Sequence, residues 1–386
     1  MYRIGQEEKD AVARVIDSKE LFKVNGGAQE TYHFEEELKA YFHTDHTILM
    51  TSGKAALISA LIGMGVGPGD EVIIPAYTYI ATAIAVVAVG AIPIIAEIDD
   101  SLMIDPADVE RKITERTKVI LPVHMQGYPC NMDAITAIAK KHNLMVLEDA
   151  CQAVGTSYHG KFVGTIGNAG AFSFNYFKII SAGEGGALLT NSRQIFEKAL
   201  IHHDSSAIAY FGNQMEDFSV EPFCGTEYRA NEITAAILRE QLKKLDGIVH
   251  DLHKNKRLLC EAIGCKANLI PCNDPDGESA MVCTMRFETA EEALRFSEAV
   301  SGVTLPIKTG KHVYSNWDVI MGKRGAAHPL MDPFKMPANR VPDYSPDMCA
   351  ASLERLAKCA HFSINPDWTE ADIEKRAAEI RRGLEI

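Results

Sequence analysis

Short runs rich in Ile and Val alternate with helix-length segments through the first half of the chain, and that alternation leaves few folds open. The runs lie at 47–50, 71–75, 92–96, 118–122 and 144–147, with two more at 170–174 and 186–190. Between the first five lie segments 54–64, 79–89, 106–116 and 131–142. These are long enough for helices and carry apolar residues at three- and four-residue spacing. The runs lack clean alternation, as strands do when both faces of their sheet are covered. The pattern predicts an α/β protein with a mostly parallel seven-stranded sheet and helices on both faces. The last two runs follow one another with no helix between them, so the sheet is expected to be mixed there.

The pattern changes near Asp246. A helical stretch at 230–245 leads into 248–263, and the remainder is mixed, with Pro, Gly, Asn and Asp clusters at 272–277 and 326–342. Residues 1–245 are read as a large α/β domain and 246–386 as a smaller α+β domain. Thr369 is placed to cap a final helix over 370–384. A length of 386 residues suits two domains, each with its own core.

The formal net charge of −13 and the lack of any Lys/Arg block argue against nucleic acid as a partner. The charged N-terminus has no apolar core and does not read as a secretory signal. The longest apolar stretch, 80–95, is broken by Gly90 and Pro93 and falls short of the roughly 20 residues of a membrane span. The nine Cys are odd in number and form no Cys-x-x-Cys pair, which reads as reduced thiols in a cytoplasmic protein.

Several local patterns carry chemistry, each beside a plainer reading. The glycines at 63–69 follow a helix and precede a strand, the wrong side for a dinucleotide motif, and read as a helix end and turn. His202-His203-Asp204 has no third ligand at a suggestive spacing, so it reads as a polar helix end and no metal site is expected. The turn Thr51-Ser52-Gly53-Lys54 closes the first strand and opens a helix, whose amides favour an anion or serve only capping. Asp149 follows an apolar strand at the sheet edge where ligands bind, either as a buried carboxylate in need of a cation or as a helix cap. Lys178, within Ser173-Phe-Asn-Tyr-Phe-Lys and ahead of Gly183-Glu-Gly-Gly186, sits among aromatic residues. That setting desolvates the amine and suits Schiff-base chemistry.

Taken together these blocks resemble the DegT/DnrJ/StrS family of sugar aminotransferases, pyridoxal-phosphate enzymes of fold type I. The matching pieces are Ser52-Gly53-x-Ala55-Ala56-Leu57, Pro75-x-Tyr77-Thr78-Tyr79-x-Ala81-Thr82, Val123-His124-x-x-Gly127 and Glu148-Asp149-x-x-Gln152-Ala153. Then come Ser173-Phe174-x-x-x-Lys178, Gly183-Glu184-Gly185-Gly186 and Gly225-x-x-x-Arg229-x-x-Glu232. The likeness spans about residues 25–245 and extends to the branch that includes amino-octulosonate transaminases.

The resemblance implies roles. Lys178 is the Schiff-base lysine and proton shuttle, and Asp149 pairs with the ring nitrogen of pyridoxal 5'-phosphate. Tyr79 stacks on the ring, Gln152 lies near its hydroxyl, and Ser173 with Ser52 and Gly53 holds the phosphate. Two positions depart from the family: Lys54 replaces Thr or Ser, and Glu227 replaces an Asn that reaches the partner subunit's phosphate. The changes compensate if Lys54 and Glu227 pair across a homodimer interface.

The implied activity moves an amino group from glutamate or glutamine to a keto or aldehyde group of a sugar or cyclitol. The alternatives are a dehydratase or cyclase of the same fold, or a catalytically silent regulatory relative. Family dehydratases commonly carry His at the lysine position, so Lys178 favours transamination. His312, Tyr314, Asn316, Trp317 and His328 either line an acceptor pocket or pack the small domain, and packing is the preferred reading.

Overall fold

The computed structural model describes residues 2–23, 29–204, 218–264 and 268–385. Two helices, α1 (Gln6–Ser18) and α2 (Glu30–Phe42), precede the sheet. The chain then alternates β1 (His46–Met50), α3 (Gly53–Gly63), β2 (Glu71–Pro75), α4 (Ala81–Ala88), β3 (Ile92–Ala96), α5 (Pro106–Lys112), β4 (Thr117–Ile120), α6 (Met132–His142) and β5 (Met145–Asp149). A small hairpin, β6 (Ser157–Tyr158) with β7 (Lys161–Phe162), leads to β8 (Ala169–Ser173), β9 (Gly186–Thr190) and α7 (Arg193–His203).

Seven strands form one sheet in the order β1-β9-β8-β5-β4-β2-β3. The five from β8 to β3 are parallel, while β9 runs antiparallel to both β8 and β1. The mixed edge is where the sequence lacks a crossover helix, because an antiparallel pair needs only a short connection. Every residue of β2, β3, β8 and β9 is buried, which accounts for their unbroken apolar character. Helix α3 has almost no polar face because it is enclosed between the sheet and α7; apart from Lys54 in its first turn, its one polar side chain is the buried Ser59, which meets His202 Nδ1 at 3.0 Å.

Two helices are shorter than their periodicity predicts. Helix α5 stops at Lys112 rather than 116, since Thr114 and Thr117 bond to the local backbone and Thr114 Oγ1 donates to Glu71. Helix α4 begins at Ala81 rather than 79, because the amides of Thr78 and Ile80 donate to the carbonyls of His312 and Lys311. A distant segment claims those amides before the helix can.

The division expected at 245/246 falls inside one continuous helix, α8 (Glu232–Ile263, 32 residues). Gly247 weakens the local helical signal by about 1 kcal/mol. The buried face nevertheless runs through it from Leu242 and Leu245 to Ile248 and Leu252. The chain crosses the expected boundary as helix. Beyond α8 the chain forms β10 (Val282–Arg286), paired antiparallel with β11 (Cys359–Ser363), and α9 (Ala290–Ala299). The short α10 (Asp318–Met321), α11 (Ala350–Ala357) and α12 (Glu370–Leu384) complete it. Thr369 caps α12 by accepting from the Asp372 amide, with Asp372 returning the bond. Among the described residues no helix is long and apolar enough to cross a membrane.

His203, at the end of α7, is 1% exposed and donates Nδ1–H to the Leu200 carbonyl at 2.7 Å. Its neighbour His202 turns to Ser59, so the two rings do not converge. Burial pushes the His203 pKa down to about 3, and that of His361 to about 4, from an ordinary 6.5. Both fold as neutral rings and must gain a proton on unfolding below pH 6.5. Each therefore contributes stability that is complete above pH 6.5 and is lost as the pH falls towards its folded value, by about 1.4 kcal/mol per pH unit. Urea midpoints are expected to fall steadily on acidification from pH 6.5, and His361→Gln to make that fall shallower. A midpoint flat over that range in the wild type would contradict the burial of both rings as neutral groups.

Candidate active site

The C-terminal ends of β1, β2, β5 and β8 surround a cavity of about 690 Å³. Ser52, Gly53, Lys54, Tyr79, Asp149, Gln152, Ser173 and Lys178 all line it. Residues from four separate strand–loop junctions thus meet, at the edge where open α/β sheets bind ligands.

At the β1–α3 turn Ser52 caps the helix by accepting from Ala55 N at 3.1 Å. The amides of Gly53 and Lys54 open the helix and have no intrahelical acceptor. Glycine is needed at 53, since a Cβ there would stand 2.5 Å from Cys151 Sγ and 2.8 Å from Ser173 Cβ. That close fit brings the turn against the end of β8. Lys54 is exposed at the cavity wall, and Ser173 is buried beside the turn.

Asp149 ends β5. Its Oδ2 accepts from Thr82 Oγ1 at 2.7 Å and its Oδ1 from the Cys151 amide at 3.1 Å. The preceding Glu148 does other work. It accepts from the amides of Gly164, Ile166 and Gly167 and from His124 Nε2, and so braces the loop behind the sheet. Because His124 Nδ1 accepts from the Cys130 amide, the proton sits on Nε2, which donates to Glu148. The Gln152 amide oxygen accepts from Gln126 N at 3.3 Å, which leaves its NH2 as a donor. Gln126 holds a left-handed φ of 54° to present that amide.

Lys178 lies half-buried on a tight loop after β8. The loop is closed by Tyr176 N donating to Gly183 O and Phe174 N to Gly185 O, with both glycines at positive φ. Burial holds the Lys178 ammonium below the ordinary 10.5, opposed in part by Cys151 and Asp149. Of the aromatic neighbours, Phe174 is fully buried and Phe177 lines the cavity although 75% exposed, while Tyr176 is 64% exposed.

Glu227 does not line the cavity of its own chain. Its side chain pairs with Arg229, which also donates to the buried Asp204 at 2.6 Å. Of the residues weighed as a pocket or as packing, His312 lines the cavity, its ring 5.2 Å from that of Tyr79. Tyr314 and Trp317 are core residues, Asn316 bonds the Gly310 carbonyl, and His328 caps the turn at Pro329–Met331. Sequence reasoning did not place Thr78, Thr82, Cys151, Asn175, Glu184 or Met281 at the site, although all line it. Thr78, Thr82 and Glu184 stand inside the motif pieces quoted above, and that was the available signal.

An open α/β sheet with a desolvated lysine and a held carboxylate facing one cavity is the architecture of fold-type I transferases. The chain belongs to the DegT/DnrJ/EryC1/StrS aminotransferase family, whose sequence profile matches residues 2–299. It is 39% identical over 242 residues to the dTDP-3-amino-3,4,6-trideoxy-alpha-D-glucose transaminase of Streptomyces venezuelae, covering 62% of this chain and 61% of that one. It is 34% identical over 260 residues to the L-glutamine:2-deoxy-scyllo-inosose aminotransferase of Streptomyces lividus, covering 66% of this chain and 61% of that one. The chain thus spans about three-fifths of the length of these relatives. The solved structure of 3-amino-5-hydroxybenzoic acid synthase superposes with a TM-score of 0.80 at 27% identity, covering 100% of this chain and 98% of that one.

Proposed function

We propose that the chain is a pyridoxal-phosphate aminotransferase that moves an amino group from glutamate or glutamine to a keto or aldehyde group of a sugar or cyclitol, and that it acts as a homodimer. The observation that carries this reading is Lys178 and Asp149 lining one cavity beside an anion-ready helix start. The named activities of the two enzyme relatives support the acceptor class, and that of the second supports glutamine as donor.

The residues suit the cofactor. Gly53 and Lys54 amides, Ser52 and Ser173 suit a phosphate. Tyr79 offers a half-exposed ring face, and Gln152 offers an NH2 donor near a ring hydroxyl. Asp149 offers a fixed anion for the ring nitrogen and Lys178 an amine for attachment. Bound there, pyridoxal phosphate supplies an electron sink for charge left on a carbon that loses its proton.

The chain's own groups do the rest. Burial raises the fraction of Lys178 present as free amine, which lets Nζ take a proton from the donor's α-carbon and return it one position away. His312 lines the cavity beside Tyr79, and its segment is fixed to the end of β2 by the Thr78 and Ile80 amides, which donate to the His312 and Lys311 carbonyls. His312 Nδ1 donates to the Thr309 carbonyl at 3.0 Å, which leaves Nε2 as an acceptor for a substrate hydroxyl or ammonium.

The test is visible absorbance of the purified protein with added pyridoxal phosphate, borohydride reduction and mapping of the modified peptide. L-glutamate and L-glutamine are then supplied as donors. Cofactor fixed on Lys178 and lost as colour on adding a donor is the expected result. A protein that takes up no cofactor is a silent relative. One that binds cofactor but never accepts an amine does dehydration or cyclisation instead.

A further inference from the structure

We infer that Thr82 is a positioning residue for Asp149, and that Thr78 polarises it. This rests on the cofactor reading above. Both threonines are 1% exposed, and neither needs its hydroxyl to fill space, since valine has the same shape. Thr82 Oγ1 lies 2.7 Å from Asp149 Oδ2, and Thr78 Oγ1 lies 2.8 Å from Thr82 Oγ1. An ionised carboxylate only accepts, so Thr82 donates to it and must accept from Thr78 in turn. The Tyr79 carbonyl, at 3.4 Å from Thr78 Oγ1, is the longer alternative acceptor, so the short bonds run one way, Thr78 to Thr82 to Asp149. Such chains strengthen each member.

Aspartate needs this help because its terminal torsion is broad and two-fold. Left to itself the carboxylate would swing across the floor of the cavity. With Oδ2 held by Thr82 and Oδ1 by the Cys151 amide, its plane is set, and the remaining lone pairs are available to a ring nitrogen. An anion fixed in advance stabilises a developing charge without having to reorganise. The chain also has a distant anchor. The Thr78 amide donates to the His312 carbonyl at 3.0 Å, so a segment that also lines the cavity holds the first member of the relay.

The test compares wild type, Thr82→Val, Thr82→Ser and Thr78→Val, each loaded with pyridoxal phosphate. The first readout, without substrate, is the pH at which the visible band changes. In T82V that midpoint, which belongs to the Lys178 nitrogen joined to the cofactor, is expected to move upward by roughly half a unit or more, because a ring nitrogen that holds its proton less well removes positive charge beside it. The second readout is the rate of band loss with L-glutamate or L-glutamine. At saturation it is expected to fall about ten- to a hundredfold in T82V, the loss of one hydrogen bond to a charged group. The half-saturating concentration should change little. T82S should recover most of both, and T78V should shift both in the same direction by less.

A T82V protein with the wild-type midpoint and rate overturns the proposal, as does a T82S protein as impaired as T82V. If T82V does not bind cofactor, T78V decides the matter, and wild-type behaviour there overturns the relay. A wild-type protein that never colours overturns the cofactor reading itself and this proposal with it.

Discussion

Lys178→Ala is expected to fold as well as the wild type, to lose all borohydride-fixed cofactor, and to transfer amine at least about a thousandfold more slowly. The two halves of that result have separate causes. Among the described residues Lys178 Nζ makes no hydrogen bond or ion pair in the fold, and its charge is desolvated. Removing it deletes a burden on stability rather than a contact, so the melting temperature should stay level or rise slightly. The chemistry loses both its point of attachment and its proton carrier. Exogenous methylamine should restore some transfer without restoring covalent capture. A variant that melts much lower would mean that the lysine is a structural ion pair, and residual fixation of cofactor would mean that another amine does the work.

Asp149→Asn should lower amine transfer by about 3–5 kcal/mol, or roughly a hundred- to several-thousandfold, the typical cost of removing one partner from a buried charge pair. The side chain keeps its shape and can still accept from the Cys151 amide, while its NH2 turns to Thr82 Oγ1. The fold should therefore survive. A second effect follows from the same charge. Burial lowers the Lys178 pKa, and the Asp149 carboxylate raises it again in part. Removing the carboxylate should move the lysine further down. The rate at which apoenzyme captures pyridoxal phosphate, plotted against pH, should then reach half its maximum at a lower pH in Asp149→Asn than in wild type. A midpoint that stays put, or moves up, would show that the two groups do not sense each other across the cavity.

Much of the fold was legible because its causes are local. The strand runs at 71–75, 92–96 and 186–190 match β2, β3 and β9 residue for residue, since strands buried on both faces need continuous apolar side chains. Thr369 and Asn131 mark the starts of α12 and α6 because a short polar side chain is the economical partner for the first free amides of a helix. Errors arose where a remote partner intervened. The change of pattern near Asp246 falls within α8, whose buried face runs on through Gly247. Helix α4 starts late because residues 311 and 312 take its first amides.

The site divides in the same way. Lys178, Asp149, Ser52 and Gly53 announce themselves by type and by their place at strand ends, so their chemistry follows from the chain alone. The full setting of Lys178 did not, because most of the wall around it is assembled from the ends of other strands. Thr82 bonding Asp149 spans 67 positions, and the His312 segment bonding Thr78 spans more than two hundred. Such pairings leave no trace in local periodicity. They depend on the order β5-β4-β2 in the sheet and on which carbonyl finds which amide when the C-terminal segment folds over it. The residue types and their strand-end positions, which decide what reaction this chain could perform, were written in its sequence. The orientation of the carboxylate and the lining of the cavity arise only in three dimensions, where hydrogen bonds form between groups that the chain itself keeps far apart.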